Sequence, residues 1–311
     1  MFKKSKRFLF ITLTLTNFFL ICRPSCHAQN NQHSLMLWCD VGYSAFLTTW
    51  NSFKTNGNAG SGVGLGYQIT AWNHFNFSIG IEYLSLNSST RPSNFIIYKN
   101  LVDTEGDEYI MEYKLHKFVQ TDKTHNLFIP IYFGFKTDLK KLDFFVQAGG
   151  KIGYMFAANY TSKIETFRTI GIYDRYIDPF ENMPNHYFDT KKYSKTGDLG
   201  FNKLQAVVSL ELGLEIPSVI SKHTLRIGFF ADYGLTNRQT AAMQKKSNEL
   251  IVFETIPNKI NMNNLYETNY KKSAFTNSIF VGVKIAFLFD VSRPPCPTCL
   301  SKSYGYVKKR R

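Results

Sequence analysis

Long apolar runs are missing from this 311-residue sequence once residue 28 is passed. Beyond that point no stretch reaches the roughly 20 apolar residues that a membrane-spanning helix needs. A helical membrane protein is therefore excluded for residues 29–311, and any insertion into a bilayer has to use strands.

Cysteine is also scarce, with five residues in the whole sequence and three after residue 28, namely Cys39, Cys296 and Cys299. Three thiols cannot form a disulfide framework, even in an oxidising compartment. Cys296 and Cys299 stand in a Cys-Pro-Thr-Cys motif that could close into a tight disulfide or take part in thiol exchange. One such pair cannot complete a zinc site and no thioredoxin-like pattern precedes it, so a structural or incidental dithiol is the favoured interpretation.

The basic excess of the sequence is concentrated at its two ends. The formal net charge is +14, but five basic residues lie before residue 29 and six lie after Asp290. Residues 29–289 carry 26 basic and 22 acidic side chains, a net charge of only +4. Such a weak excess gives little support for binding to a phosphate backbone, so no nucleic-acid partner is expected.

The first 28 residues have the pattern of a secretory signal peptide. Four basic residues near the start precede the apolar run Phe8–Ile21, which is too short to span a bilayer. Small residues at Cys26 and Ala28 occupy the two positions read during cleavage, which predicts a cut after Ala28. A lipid anchor on Cys22 or Cys26 is the alternative, and the residues that precede each cysteine disfavour it.

Alternation of apolar and polar residues is the strongest signal in the rest of the chain. Successive residues of a strand face opposite sides, and a membrane barrel must present an apolar face to lipid along every strand. Eight segments meet this test: 35–47, 62–69, 75–83, 127–136, 143–154, 205–216, 225–234 and 279–289. We therefore predict an all-β fold, a closed antiparallel eight-stranded transmembrane β-barrel formed by residues 29–289.

The connections between these segments alternate in length. Those after the second, fourth and sixth segments are short, whereas those after the third, fifth and seventh run to tens of residues, near 87–125, 157–200 and 236–274. Short turns face the periplasm in outer-membrane barrels, so the long segments are expected to be extracellular and both ends of the barrel periplasmic. Within the first long segment, 94–101 and 109–119 have the pattern of a hairpin that rises above the membrane. Residues 290–311 are expected to form a basic periplasmic tail.

Tyrosines mark the outer end of the predicted lipid-facing surface. They fall about 20 Å beyond the first lipid-facing residues of the outward-running strands, close to the thickness of the apolar band. The predicted aromatic girdle consists of Tyr43, Tyr83, Tyr154 and Tyr233. A soluble β-sandwich, or a lipocalin-like barrel with its apolar face inward, is the alternative interpretation.

The opposite face of the predicted strands carries charges of both signs in nearly equal number. We expect them to form a paired polar network in the lumen, made of Asp40, Glu82, Lys136, Lys151, Glu211, Glu215, Arg226, Asp232 and Lys284. Asp143 and Lys203 are assigned to the same face. Because an eight-stranded barrel is only wide enough for side chains, we expect a plugged lumen and not a diffusion pore.

Motifs that would indicate catalysis or ligand binding are weak. The glycine-rich stretch 60–66 lacks the helix start of a phosphate-binding loop, and small lumen-facing or close-packing residues explain it. A lipid-modifying hydrolase would need a serine, a histidine and a carboxylate together, and no spacing links His116, His125 and His186 to such a set. The aspartates between 174 and 198 lack the spacing of a calcium loop. No catalytic residue, metal or cofactor is predicted.

Three motifs resemble the PorT-like family of outer-membrane β-barrel proteins. Residues 126–136, Asn-Leu-Phe-Ile-Pro-Ile-Tyr-Phe-Gly-Phe-Lys, are similar to the family's Leu-x-Ile-Pro strand. Residues 145–154, Phe-Val-Gln-Ala-Gly-Gly-Lys-Ile-Gly-Tyr, resemble its next strand, and residues 233–237, Tyr-Gly-Leu-Thr-Asn, resemble a later strand end. The three occur in the family's order. The resemblance implies an outer-membrane barrel, and the founding member's link to protein secretion implies a related role as one option.

The sequence constrains function less than fold. The favoured hypothesis is a non-enzymatic outer-membrane barrel whose large surface loops serve envelope or surface interaction. The first alternative is a component of a protein-secretion or envelope-assembly complex, and the second is a lipid-modifying enzyme. The expected partners are outer-membrane lipid and, through the tail at 290–311, a periplasmic or envelope protein.

Overall fold

The computed structural model describes residues 31–48, 53–92, 95–103, 105–137, 142–186, 188–217, 223–253, 260–268 and 275–292. The predicted signal peptide, most of the predicted tail and both cysteines of the Cys-Pro-Thr-Cys motif lie outside these residues. Within the described ranges, none of the helices has the length and apolar content needed to cross a membrane.

Extended strands make up almost all of the regular structure. In the described residues they are β1 (Gln32–Leu47), β2 (Phe53–Ala71), β3 (Phe75–Pro92), β4 (Phe95–Val102), β5 (Glu108–Lys136), β6 (Asp143–Ile172), β7 (Thr190–Asp198), β8 (Leu204–Pro217), β9 (His223–Gly234), β10 (Ile251–Phe253), β11 (Ile260–Met262) and β12 (Asn277–Asp290). The helical elements are the short helix α1 (Ala241–Lys245) and two 3-10 turns, Pro184–His186 and Leu265–Glu267.

Eight of these strands form a closed antiparallel ring. Their order around the ring is β1, β2, β3, β5, β6, β8, β9 and β12, and β12 pairs back onto β1. At this seam Asp40 of β1 lies directly opposite Lys284 of β12. The prediction of a closed, eight-stranded antiparallel barrel is confirmed.

The ring strands turn apolar side chains outward because successive residues alternate sides. Exposed outward-facing residues, one from each strand in ring order, are Leu37, Leu65, Ile81, Ile129, Ile152, Leu210, Phe229 and Ile285. Inward-facing Glu82, Lys151 and Arg226 are at most 1% exposed. An exposed apolar band around buried charges is an arrangement that suits a hydrocarbon surrounding and not water.

The two ends of the barrel differ in the length of their connections. At one end, called here the short-turn rim, residues 72–74, 137–142 and 218–222 join consecutive ring strands. Trp72 and Asn73 adopt positive φ angles of 51° and 62°, which lets three residues reverse the chain. The opposite end, called the loop rim, carries the long segments that follow β3, β6 and β9.

Two of the three long segments are largely strand, because the ring strands β5 and β6 extend beyond the barrel and the predicted hairpin lies in the first of them. β5 has 29 residues and β6 has 30, and the two stay paired beyond the loop rim as far as Ile110 and Ile172. β4 pairs with the first part of β5, as the predicted hairpin requires, and β7 pairs with the upper part of β6. These four strands form an outer sheet above the barrel.

The outer sheet reverses the polarity of the barrel wall. In β5 the buried inward positions are even-numbered from Phe118 to Tyr132, but Met111 and Leu115 also face inward at odd-numbered positions. The alternation changes phase at Lys117, whose φ is 53°, and β6 changes phase at the facing position, Glu165. A period-two pattern therefore cannot be followed through this point, which is why the sequence does not show one continuous strand.

A hydrophobic core fills the space that the outer sheet encloses. A cap made of residues 238–253 and 260–268, which include α1, β10 and β11, packs against the inward face of the sheet. Buried cap residues, none more than 2% exposed, are Met243, Leu250, Met262, Leu265 and Tyr266. The outer sheet and the cap together are called the outer platform below.

Candidate functional site

The charged residues inside the barrel meet in three groups, and the central group is built around Lys151. The Lys151 Nζ on β6 donates to both carboxylate oxygens of Glu82 on β3, at 2.8 and 3.0 Å, and to Oδ2 of Asp232 on β9, at 2.7 Å. Ser209 Oγ donates to the other oxygen of Asp232 at 2.5 Å. No two of β3, β6 and β9 are neighbours in the ring, so this group ties distant walls of the barrel together.

A second group surrounds Lys284 of β12. Its Nζ donates to Oε2 of Glu211 at 2.9 Å and lies 3.8 Å from Oδ1 of Asp40. The ammonium is also 5.8 Å from the ring centroid of Trp38 and 5.2 Å from that of Tyr132. Aromatic faces attract a cation, so the two rings add to the stabilisation that the carboxylates supply.

A third group lies toward the short-turn rim. The Arg226 Nε donates to Oε1 of Glu215 at 2.9 Å, and an Arg226 terminal nitrogen contacts the same oxygen. Lys136, which is partly exposed, lies 3.4 Å from the second oxygen of Glu215. The guanidinium of Arg226 also donates to Gln68 at 2.9 Å and to Gln147 at 3.3 Å. All nine residues assigned to the lumen network thus face the interior and have partners there.

Of the two further residues assigned to the inward face, Lys203 lies outside the barrel and Asp143 lies at its rim. Lys203 is exposed just before β8, and its Nζ lies 5.9 Å from the ring centroid of Tyr154 on the outside of the barrel. Asp143 is only half-buried at the start of β6. Asp143 keeps the inward parity of Phe145 and lies opposite Glu215 of β8, whereas Lys203 precedes β8, where the alternation rule no longer determines the side.

Large aromatic side chains, which the sequence-based network omitted, fill much of the lumen. Phe128, Phe145, Phe230 and Phe280 are at most 4% exposed and face inward. The rings of Phe230 and Phe280 pack edge to face with centroids 4.7 Å apart, and Arg226 stacks on Phe145 at 4.4 Å. Each of these phenylalanines lies on the same side of its strand as the polar residues. Alternation within the strand could therefore have predicted that it faces the lumen. Ion pairs and rings together leave no charged side chain of the central network accessible to solvent.

Trp38 explains the glycine-rich stretch of β2. A Cβ placed on Gly64 would lie 2.3 Å from the Trp38 ring, and one on Gly80 would lie 2.7 Å from it. Only a residue without a side chain lets the indole lie this close to the strands. The stretch is therefore a packing surface, as the close-packing interpretation expected.

The four tyrosines predicted as a girdle face outward near the loop rim. Tyr43, Tyr154 and Tyr233 are 42% to 49% exposed, and Tyr83 is half-buried. Their hydroxyl groups meet polar partners: the Gly57 N–H donates to Tyr43 at 2.7 Å, and the Asn277 amide donates to Tyr233 at 2.6 Å. An apolar ring with a hydrogen-bonded tip is suited to a boundary between hydrocarbon and water.

A group of buried polar residues lies between the charged groups of the lumen and the apolar core of the outer platform. Asp122 accepts hydrogen bonds from Gln120 at 2.8 Å and from the Tyr266 hydroxyl at 2.8 Å. Burial raises the pKa of the Asp122 carboxyl to about 7, although these two donors lower it. Burial also lowers the pKa of Arg238 to about 10; its guanidinium stacks on Phe46 at 4.6 Å. This group closes the outer end of the barrel with ordered side chains.

The histidines considered for a hydrolase do not share a site. His125 lies on the outer surface, where its Nδ1 is 2.6 Å from the Tyr83 hydroxyl. His116 lies nine residues away on the same strand, about 30 Å along an extended chain. His186 stacks on Phe188 in a 3-10 turn. Among the described residues, no group of three or more His, Cys, Asp or Glu side chains could hold a metal ion.

Comparisons with known proteins give two weak structural similarities and no sequence match. No protein-family model matches the sequence, and no curated protein matches it. Among solved structures, the chain is similar to Ail, the attachment invasion locus protein of Yersinia pestis, determined in complex with the heparin analogue sucrose octasulfate. The identity is 8%, the match covers 82% of this chain and 98% of Ail, and the TM-score is 0.24.

A second match is the secretin InvG of the Salmonella SPI-1 type III secretion injectisome in its open gate state. Its identity is 9%, it covers 98% of this chain and 71% of InvG, and the TM-score is 0.11. Both TM-scores are too low for the superpositions to support an argument. The ring closure, the exposed apolar band and the buried charges carry the conclusion that the fold is that of an outer-membrane β-barrel.

Proposed function

We propose that this chain is a non-enzymatic protein of a Gram-negative outer membrane that presents the outer platform on the cell surface. The observation that carries the proposal is the contrast between the two parts of the molecule. The barrel interior is filled by paired charges and aromatic rings, whereas the outer platform encloses an apolar core that is continuous with those rings and carries exposed charged side chains on its outer surface. Because its lumen is filled, the barrel serves as a membrane anchor, and the outer platform is the part that binds at the surface.

The orientation follows from the rims. Short turns face the periplasm in bacterial barrels, and this supports an orientation with the short-turn rim inside and the outer platform outside. The first and last described strands meet at the short-turn rim, where the Val291 N–H donates to the His33 carbonyl at 2.8 Å and the His33 N–H donates to Ser292 Oγ at 2.9 Å. A signal peptide at 1–28 and a periplasmic tail after Ser292 agree with this arrangement and are part of the proposal.

Two measurements test this function. The purified barrel in a planar lipid bilayer should give no stable conductance step, because the central charges are paired and buried. In a variant without native cysteines, a cysteine at Lys245 in α1 should react with a membrane-impermeant maleimide on intact cells, while one at Asn73 should react only after lysis. Stable single-channel currents would contradict the sealed lumen, and the reverse labelling pattern would contradict the orientation.

A second candidate function is a role in protein secretion or envelope assembly, which the resemblance to the PorT-like family supports. The two strands with the longest motifs, β5 and β6, pair along the motif residues, with Ile129 opposite Ile152. Removing residues 293–311 tests this role and leaves the contacts of His33 with Val291 and Ser292 in place. A secretion component should lose a crosslinked periplasmic partner in this variant, and a surface-binding protein should not.

A further inference from the structure

The outer platform carries an open groove of about 840 Å³ across β5, β6 and β7. Its lining includes four basic residues and one acidic residue: Arg91, Lys117, Lys163, Lys192 and Glu165. Arg91, Lys163 and Lys192 are exposed, and the side chains of Lys117 and Glu165 are 62% and 53% exposed. The rest of the lining is Phe118, Val119, Ile164, Tyr193 and Ser194, so the groove has a largely apolar floor and exposed, mainly basic side chains around it.

The groove coincides with the phase change of the outer sheet. Lys117 adopts a φ of 53°, a conformation uncommon for a residue with a side chain, and the β6–β7 register shifts between Ile164 and Phe167. Irregularities of this kind bend strands and redirect side chains. Here they place consecutive residues of one strand, His116 and Lys117, on the outer surface.

The charges of the groove are only partly compensated. Lys117 pairs with Glu165 at 2.8 Å, and this hydrogen bond, with the nearby charges of Lys117, His116 and Lys192, lowers the pKa of Glu165. Glu165 is the acidic residue of the lining, so three basic side chains remain for a ligand. Three of the four cations are lysines, which act as point charges and do not require the planar, bidentate partners that arginine prefers. Spaced single anionic groups suit this arrangement.

The groove lies well above the tyrosines that mark the outer membrane boundary. This height favours a soluble anionic ligand over a lipid headgroup. Arg91 follows Tyr83 by eight residues in β3, and Lys163 follows Tyr154 by nine in β6. At ~3.3 Å per residue and ~40° of tilt, these positions lie about 20 to 23 Å beyond the tyrosines. The lining strands are paired with each other, Phe118 with Ile164 and Ile164 with Tyr193, so a peptide could not add a strand within the groove and could join only at the outer edge of β7.

From these observations we propose that the groove binds an extended polyanionic glycan whose sulfate or carboxylate groups contact Arg91, Lys163 and Lys192. The inference rests on the proposed exposure of the outer platform at the cell surface. It concerns a binding site on the platform and is independent of the barrel interior.

The test is a calorimetric titration. Dextran sulfate oligosaccharides are added to the purified full-length barrel in detergent. The combined variant Arg91→Gln, Lys163→Gln, Lys192→Gln should bind about 30-fold more weakly, since each exposed charge contributes about three-fold. The matched control changes three exposed lysines outside the groove, Lys123→Gln, Lys203→Gln and Lys245→Gln, and should stay within about two-fold of the unchanged protein. Glu165→Gln should bind about three-fold more tightly, a gain that misfolding cannot produce.

Three results would overturn the inference. They are equal losses in the two triple variants, equal binding of neutral dextran, and tighter binding of polyglutamate than of dextran sulfate with the same number of charges. Intact cells provide the separate test of exposure. Dextran sulfate binding by the purified protein without binding by cells would refute the proposed orientation and leave the groove assignment standing.

Discussion

Removing the lysine at the centre of the lumen gives the most direct test of how the barrel interior is stabilised. In Lys151→Met the carboxylates of Glu82 and Asp232 lose three hydrogen bonds of 2.7 to 3.0 Å and remain at 0% and 4% exposure. Breaking a buried ion pair by removing one partner costs about 3–5 kcal/mol, because the remaining charge is uncompensated. Folded proteins are stable by only about 5–15 kcal/mol, so the expected loss is a large part of the total.

The assay is urea unfolding of the barrel in lipid vesicles, followed by tryptophan fluorescence and by the gel shift between folded and heated protein. The combined variant Lys151→Met, Glu82→Gln, Asp232→Asn should recover most of the loss, since neutral groups of similar shape remove the uncompensated charges. Lys203→Met, a change at an exposed lysine outside the barrel, should shift the free energy of unfolding by less than about 0.5 kcal/mol. A single Lys151 variant as stable as the unchanged protein, or a triple variant no more stable than the single one, would refute this reasoning.

Three further predictions concern packing, pH and the lipid-facing surface. Gly64→Ala should cost about 1–3 kcal/mol in urea unfolding, because the added methyl group meets the buried indole at 2.3 Å, while Gly150→Ala, whose nearest neighbour is at 3.5 Å, should cost little. Because burial raises the folded-state pKa of Asp122 from 3.8 to about 7, the folded protein holds this proton longer than the unfolded chain, and stability should fall as pH rises from about 4 to about 7. Asp122→Asn should remove that part of the pH dependence, and an unchanged pH profile would argue against the buried carboxyl. Ile129→Lys should cost about 2–4 kcal/mol in vesicles because it places a charge in the lipid-facing band, whereas Thr121→Lys on the same face of β5 above the tyrosines should be neutral; equal costs would contradict the assigned membrane level.

The ring strands could be predicted because alternation within a strand is a local property. Residues such as Leu37 and Ile129 report their side directly through their position, and the charges of the opposite face follow by parity. Alternation along a strand could not show which of the inward-facing charges form ion pairs with each other. Lys151 and Asp232 are separated by 81 residues, and their contact depends on the shear of the whole ring.

Apart from the β4–β5 hairpin, the outer platform could not be predicted from the sequence, for a different reason. Its strands bury apolar residues on the inward side, the reverse of the membrane-embedded part, and the phase changes at Lys117 and Glu165 interrupt the pattern. The buried polar group beneath it joins side chains far apart in the chain, since Tyr266 and Asp122 are separated by 144 residues and Arg238 and Thr124 by 114. No local pattern encodes contacts of that kind.

The seam between β1 and β12 has a consequence for biogenesis. Lys284 comes from the last described strand, yet its carboxylate partners, Asp40 and Glu211, come from strands translated before it. Before the final strand docks, both acids stand inside an unfinished wall without their cation. Pairing of β12 with β1 completes the hydrogen-bonded ring and also brings Lys284 to its two carboxylates. A barrel that lacks this strand is therefore destabilised by unpaired buried charges, and closure of the ring is cooperative.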